Sequence, residues 1–253
     1  MSEITYMQVV WSLVLVAIAI GVGFLRRLPV FKDMALGTVR TFVQLIAVGY
    51  ALDFIFNLEN LWLVALAIAI MITVGAQAGA SHVKSYKGAF PLTWISISIG
   101  SVLTLAMMLV IRIIPLDARY IIPLGGMIIS NSMNATALTI DRLSSDLKGN
   151  RLAVETALAL GKNWREASSI FQRKATTTGM MSILNFMKTV GIVALPGAMT
   201  GMILAGADPI DAVLLQVIVG YMLLSSVTIS SVVATELTVR RFFTPFHQLR
   251  QDI

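Results

Sequence analysis

Two asparagines, Asn131 and Asn134, stand in the middle of a long apolar run. They are three residues apart and Met127 precedes Asn131 by four, so a helix would place all three side chains on one face. Ser130, four residues after Gly126, would permit close approach of a second helix. Amides in hydrocarbon need partners, supplied either by neighbouring helices or by a water-filled cavity. Both alternatives are open, and these four polar or thioether residues (Met127, Ser130, Asn131 and Asn134) are candidates for lining a translocation pathway.

A second polar pair, Arg40 and Gln44, interrupts an earlier apolar run. The two residues are four apart and share one helical face. Arg40 can extend to the membrane interface while Gln44 bonds a neighbouring helix, which would be a structural role. The alternative is a polar lining of the pathway, so both residues are pathway candidates.

The stretch from Met187 to Gly201 contains residues that interrupt helices. Pro196 lacks a backbone donor and Gly197 loosens the chain, so a kinked or broken helix is expected. Transporters use such breaks near the membrane midplane, where freed backbone groups can face a cavity. A kink that serves packing is the alternative. The pathway candidates of this stretch are Lys188, Pro196, Gly197 and Met199.

Patterns for catalysis and metal binding are missing from the sequence. Cysteine is absent, and the two histidines, His82 and His247, stand far from any carboxylate cluster. No phosphate-binding loop of the form G-x-x-x-x-G-K-[ST] occurs, so the chain cannot bind ATP by that device. We expect no catalytic residue, no enzymatic activity and no cofactor bound by this chain, and we leave metal binding open.

The elements that must position these residues are membrane helices. Of the 253 residues, 57% are hydrophobic and 13% charged, about half the charged share of a soluble domain. Lipid must therefore cover much of the surface. We expect an all-α, polytopic membrane helical bundle of about seven transmembrane helices, forming a single domain over residues 1–253. Its apolar runs, each of roughly 20 residues or more, are Thr5–Leu25, Gly37–Phe56, Leu61–Ala80, Ala89–Ile111, Tyr120–Ile140, Gly179–Gly206 and Ala212–Thr235.

The distribution of basic residues predicts the orientation. If the N-terminus is outside, all of the 19 lysines and arginines except Arg112 and Arg119 fall on the cytoplasmic side. The C-terminus is then cytoplasmic. Because these residues are spread over short loops, the net charge of +6 does not indicate a nucleic-acid partner.

The longest polar segment is Asp141–Thr178, on the predicted cytoplasmic side. Its pattern predicts a helix over Arg151–Leu160, which Gly161 would end in a left-handed conformation. Asn163 and Glu166 then form the pattern of a capping box at the start of a second helix. The segment therefore reads as a compact pair of helices rather than as a linker.

Three stretches, LGGMIISNSMNATALTIDRL, ETALALGKNWREAS and KTVGIVALPGAMTGMILAGADP, resemble the FetB-type permeases of ABC transporters. These are iron-export permeases in bacteria, with aluminium-tolerance relatives in plants. RTFVQLIAVGY and the closing HQLR are also similar, so the resemblance covers nearly the whole chain. It implies a permease homodimer in the bacterial inner membrane, bound to two copies of a separate ABC ATPase subunit that carries ATP and Mg. Iron export is the activity it implies.

The resemblance also implies a role for segment 141–178. Glu155, Ala157 and Gly161 match the Glu-Ala-Ala-x-x-x-Gly pattern of bacterial ABC permeases, with Thr156 in place of the first alanine. In that family the pattern forms a helix that docks on the ATPase and couples ATP hydrolysis to transport. The ATPase-coupling candidates are Glu155, Ala157, Gly161, Asn163 and Glu166; an ordinary cytoplasmic loop is the alternative.

The alternative function is a secondary transporter or channel that acts without an ATPase. Such a protein would be expected to bury ionisable groups in mid-span for ion coupling. Apart from the marginal Arg40, Lys188 and Glu236, the chain has no ionisable group in mid-span. An ABC permease powered by another polypeptide is therefore the favoured hypothesis.

Overall fold

The computed structural model describes residues 6–27, 31–58, 60–246 and 248–250. Within these ranges the chain forms nine helices, and its only extended pairings are two isolated bridges. The all-α prediction is confirmed. The helices are α1 (Tyr6–Leu25), α2 (Phe31–Leu58), α3 (Leu61–His82), α4 (Phe90–Val110), α5 (Ala118–Gly149), α6 (Arg151–Ala159), α7 (Trp164–Thr189), α8 (Gly197–Leu204) and α9 (Pro209–Phe242).

Four helices of the described residues are long and apolar enough to cross a membrane: α2 over Asp33–Phe56, α3, α4 and α9. α1 contains a shorter apolar stretch, Val10–Leu25, and α5 extends the run Tyr120–Ile140 to Gly149. A membrane helical bundle agrees with this arrangement. The count of seven spans and the placement of the termini stay predictions. The single domain also stays a prediction, and the chain divides into two compact units, Met1–Glu59 and Asn60–Ile253.

The sixth apolar run, Gly179–Gly206, is not one helix. α7 ends at Thr189 and α8 begins at Gly197, so residues 190–196 are not helical. Gly191 has a φ of 81°, and its N–H donates to the carbonyl of Ala194 at 3.0 Å. Pro196 is the N-cap of α8. Of the two expected alternatives, a kink or a break, the structure shows a break, and α7 already ends at the turn around Gly191, before Pro196.

The unit Asn60–Ile253 is organised around α5 and α9. α5 contacts α3, α4, α7 and α9, while α9 contacts α4, α5, α7 and α8. Small and hydroxyl side chains at helix contacts let two backbones approach closely. Such residues are buried along both helices, namely Ser132, Ala135, Thr136 and Thr139 on α5 and Ser226, Ser230, Ser231 and Ala234 on α9.

Two glycines mark the closest helix contacts. A β-carbon added at Gly179 of α7 would collide with Oγ1 of Thr139 on α5. It would also lie 2.7 Å from the carbonyl oxygen of Ala135 and 3.1 Å from Oγ of Ser231 on α9. Gly100 of α4 stands equally close to α9. The helices can lie this close only because these positions carry no side chain.

The loop between α3 and α4 is held to α5 by Asp141. Oδ1 of Asp141 accepts hydrogen bonds from the N–H groups of Lys84 and Ser85, both at 2.9 Å, and from the Ser85 hydroxyl at 2.6 Å. Burial raises the pKa of the Asp141 carboxyl, but the hydrogen bonds from Ser85 and Lys84 and the charge of Lys84 outweigh it. The pKa is lowered below its ordinary value of 3.8, so the ionised form is the one that holds the loop.

Replacing Gly179 with Ala is expected to destabilise the protein by about 1–3 kcal/mol, because the new methyl group forces α7 away from α5 and α9. Thermal unfolding of the purified protein in detergent measures the loss. Gly201→Ala is the matched control, since no atom lies within 4 Å of a β-carbon added there. Equal unfolding midpoints for the two variants would contradict the close contact.

Replacing Asp141 with Asn is expected to cost about 1 kcal/mol at neutral pH, because a charged acceptor is lost from a site that water partly screens. A lowered pKa in the folded state means that the carboxylate stabilises the fold above pH 3.8 and that this contribution disappears as pH falls through the folded-state pKa. The difference in unfolding midpoint between the wild type and Asp141→Asn should therefore shrink in acid. The unfolding midpoint of Ser85→Ala, which removes one donor to Asp141, should lie between those of the wild type and Asp141→Asn. If the difference between the wild type and Asp141→Asn did not change with pH, the ionised Asp141 would not be what holds the loop.

Candidate functional site

The turn between α6 and α7 is fixed by its own backbone. Gly161 has a φ of 85°, and its N–H donates to the carbonyl of Leu158 at 3.0 Å, while the N–H of Lys162 donates to that of Ala157 at 3.2 Å. These paired bonds form a Schellman motif, which favours glycine at the left-handed position. The predicted helix terminator at Gly161 is confirmed.

The start of α7 is fixed by a capping box. Oδ1 of Asn163 accepts from the N–H of Glu166 at 3.0 Å, and Oε2 of Glu166 accepts from the N–H of Asn163 at 3.3 Å. The predicted capping box is therefore confirmed. Glu155, on α6, pairs with Arg151 at 2.7 Å. Four of the five coupling candidates thus take part in the hydrogen bonds of this turn, namely Ala157, Gly161, Asn163 and Glu166. The fifth, Glu155, instead forms an ion pair with Arg151 within α6.

Segment 141–178 is attached to the bundle by an apolar cluster. Val154 of α6 is fully buried among Leu143 and Leu147 of α5, Ala175 of α7 and Phe242 of α9. Leu158, Trp164 and Phe171 pack against the same cluster. Because these contacts come from α5, α7 and α9 together, α6 is fixed to the helices that form the bundle.

The opposite face of α6 exposes apolar side chains. Leu152 and Leu160 are 79% and 78% exposed, and with the exposed Thr156 they are spaced four residues apart along one face. We call Leu152 and Thr156 of α6, together with Leu160 at its C-terminal cap, the outer face of α6. Sequence reasoning missed this face, although the spacing was visible, because only the structure shows that the other face of α6 is already buried.

The four pathway candidates on α5 lie on its less buried face. Nδ2 of Asn131 donates to the carbonyl of Met127 at 2.8 Å, and Oγ of Ser130 donates to the same carbonyl at 3.2 Å. The Asn134 side chain is exposed and makes no hydrogen bond within the described residues. Within the described residues of the unit Asn60–Ile253, neither amide therefore bonds another helix.

The four pathway candidates around the helix break lie in different surroundings. Lys188 is exposed in the last turn of α7, Pro196 caps α8 and Gly197 is exposed. Met199 alone among them lines a groove of about 380 Å³ between the end of α7, α8 and α9. Gln216 of α9 lines the same groove; sequence reasoning missed it, although a polar residue inside an apolar run was the signal that identified Asn131.

The remaining pair, Arg40 and Gln44, belongs to α2 in the first unit. Both side chains are exposed on that helix. Arg40 makes no ion pair within the described residues. Their assignment to a pathway or to packing stays as open as the sequence left it.

Charged and metal-binding groups are sparse in the described interior. Over residues 6–27, 31–58, 60–246 and 248–250 no group of three or more His, Asp or Glu side chains could hold a metal ion. The buried polar residues of these ranges are serines, threonines and one glutamine, with no charged side chain among them. His82 is the exposed last residue of α3, and His247 lies outside the described residues.

Comparison with known proteins identifies the family. Residues 6–243 match the uncharacterised protein family UPF0014. UPF0014 membrane protein STAR2 of Oryza sativa subsp. japonica is 36% identical, over 94% of this chain and 84% of the relative. Protein ALUMINUM SENSITIVE 3 of Arabidopsis thaliana is 34% identical, over 96% of this chain and 89% of the relative. The probable iron export permease protein FetB of Escherichia coli is 33% identical, over 98% and 95%. No solved structure matches the chain.

These matches confirm the resemblance seen in the three sequence stretches. They extend over almost the whole chain and over most of each relative. The chain therefore belongs to the UPF0014 family of membrane proteins.

Proposed function

We propose that this chain is the membrane-spanning permease subunit of an ABC transporter. It forms a homodimer in the bacterial inner membrane and moves its substrate with ATP that two separate ATPase subunits hydrolyse. The outer face of α6 is the observation that carries the proposal. Leucines exposed on a helix that is predicted to lie in the cytoplasm can be buried only against a protein partner, and their burial would favour binding of that partner. ATP and Mg belong to that partner.

The geometry of segment 141–178 suits the transmission of movement. The Schellman motif, the capping box and the apolar cluster around Val154 fix α6 to α5 and α7. α5 is one continuous helix from Ala118 to Gly149, and Leu147 in the cluster is 13 residues from Asn134. That separation spans about 20 Å of helix. Displacement of α6 by a docked ATPase would therefore move the asparagine face with it.

Iron, transported outwards, is the substrate that we propose for the pathway. The support is the Escherichia coli relative, whose name is probable iron export permease protein. The α5 face offers amide, hydroxyl and thioether groups at Asn131, Asn134, Ser130 and Met127. Such neutral ligands hold a metal ion more weakly than carboxylate or histidine clusters do. A weak site suits a pathway, because a transported ion must also leave.

A secondary transporter or channel without an ATPase is the competing function. Ion-coupled transporters place ionisable groups inside the membrane. The described residues bury no charged side chain, which favours the ABC proposal over ion coupling.

Purification of the chain from its native membrane is expected to recover an ATPase in equal amount. Replacing both Leu152 and Leu160 with Ser should reduce that recovery by roughly tenfold or more, because loss of two apolar contacts weakens docking by at least 1.4 kcal/mol. Mass spectrometry of the detergent-purified complex measures the ratio. Ala153→Ser, an exposed change on the same helix, is the control.

Recovery of the chain alone, transporting in vesicles without ATP, would overturn the proposal and identify a secondary carrier. Unchanged ATPase recovery with the double serine variant would keep the ATPase partner but remove α6 as the docking surface.

Replacing Asn131 and Asn134 together with Leu is expected to abolish transport while the complex still assembles. The reason is that their amides bond no other helix in the described structure, so folding loses little, whereas the polar lining is lost. Substrate-stimulated ATP hydrolysis in proteoliposomes, tested with ferrous iron and other divalent cations, measures the effect. Asn185→Leu on α7, another exposed asparagine, is the matched control. Failure of the double variant to assemble would instead assign both residues a structural role.

A further inference from the structure

The groove at the helix break has the volume and walls of a ligand pocket. It measures about 380 Å³, within the range of roughly 300–1,000 Å³ typical of small-molecule sites. Its walls come from the end of α7, the non-helical residues that follow, α8 and the first half of α9. Apolar side chains dominate them, among them Phe186, Met187, Val190, Leu195, Met199 and Val217. The groove thus depends on the break, since Val190 and Leu195 belong to the non-helical segment.

One polar side chain is set into these walls. Gln216 is 7% exposed, and its Oε1 has no hydrogen-bond partner within the described residues. A buried amide oxygen without a partner is costly, and native proteins satisfy nearly all such groups. The oxygen and nitrogen of the amide exchange places by rotation about one bond. Gln216 can therefore present an acceptor or a donor to a molecule in the groove.

We infer that the groove binds an amphipathic small molecule, with an apolar body and one hydrogen-bonding group such as a hydroxyl. The apolar body would contact Phe186, Met187 and Met199, and the polar group would bond Gln216. A bare metal ion fits poorly, because none of the residues that line the groove is charged and one amide cannot replace a hydration shell. This site is distinct from the α5 face, and the inference does not rest on ATP coupling.

The groove can also admit and adapt to such a molecule. Methionine side chains are flexible and adjust to irregular shapes, and Met187 and Met199 stand on different helices. Tyr221, at the wall formed by α9, is 65% exposed, and α9 is one of the helices apolar enough to span a membrane. A β-carbon added at the neighbouring Gly220 would meet no atom within 4 Å. There is therefore free space beside Gln216, and the apolar surroundings favour entry from the lipid.

Photolabelling of the purified full-length protein tests the site. The probe is an octanol that carries a diazirine, and its matched partner is the same diazirine octane without the hydroxyl. We expect the alcohol to label peptides that contain Met187 or Met199 about five- to tenfold more than the alkane does, because only the alcohol bonds Gln216. In Gln216→Leu, labelling by the alcohol should fall to the level of labelling by the alkane, and labelling by the alkane should be unchanged.

A second variant keeps the test decisive if Gln216→Leu fails to fold. Gly220→Leu should fill the groove and abolish labelling by both probes, whereas Gly201→Leu, in open space outside the groove, should leave it intact. Unfolding midpoints verify that each variant is folded. Equal labelling of the wild type by both probes, labelling that does not saturate, or labelling that survives in Gly220→Leu would overturn the inference. None of these readouts requires the ATPase, so this inference and the proposed function can fail separately.

Discussion

The close approach of α7 to α5 and α9 at Gly179 is the contact on which the rest of the second unit depends. Lipid is as apolar as leucine, so membrane helices gain no hydrophobic energy from leaving it and associate through tight van der Waals packing instead. At Gly179 the neighbouring Thr139 and Ser231 have hydroxyl oxygens that bond no partner in the described residues. The contact is therefore steric: small groups allow the backbones to meet, and any added methyl group prevents it.

From this contact the bundle continues in two different ways. Towards the predicted cytoplasm α5, α7 and α9 continue and enclose the cluster of Leu143, Leu147 and Val154. The ion pair of Arg240 with Glu236 at this end is exposed and contributes little. In the other direction α7 stops at Thr189 and leaves a groove beside α9. One end is thus closed by an apolar cluster, and the other leaves a groove.

Features set by residues that are close in the sequence were predicted better than features set by the packing of distant helices. The capping box at Asn163 and the terminator at Gly161 were readable because all their partners lie within a few residues. The start of the helix break was not readable in this way. Pro196 explains only where α8 begins, whereas α7 ends before the turn at Gly191, and seven non-helical residues, 190–196, separate the two helices. The outer face of α6 also escaped sequence reasoning. When a short helix has apolar residues on two faces, its sequence alone does not show which face is buried.

The sequence by itself determined that the chain is helical and lipid-covered, where polar groups interrupt its apolar runs, and how segment 141–178 turns. Those properties follow from composition, periodicity and short-range hydrogen bonding. Only the tertiary structure decided that the amides of Asn131 and Asn134 bond no other helix in the described residues, that Leu152 and Leu160 are exposed, and that Gln216 lines a groove. The physical reason is that exposure depends on which helices pack together, and contacts such as that of Gly179 with Thr139 join residues far apart in the chain.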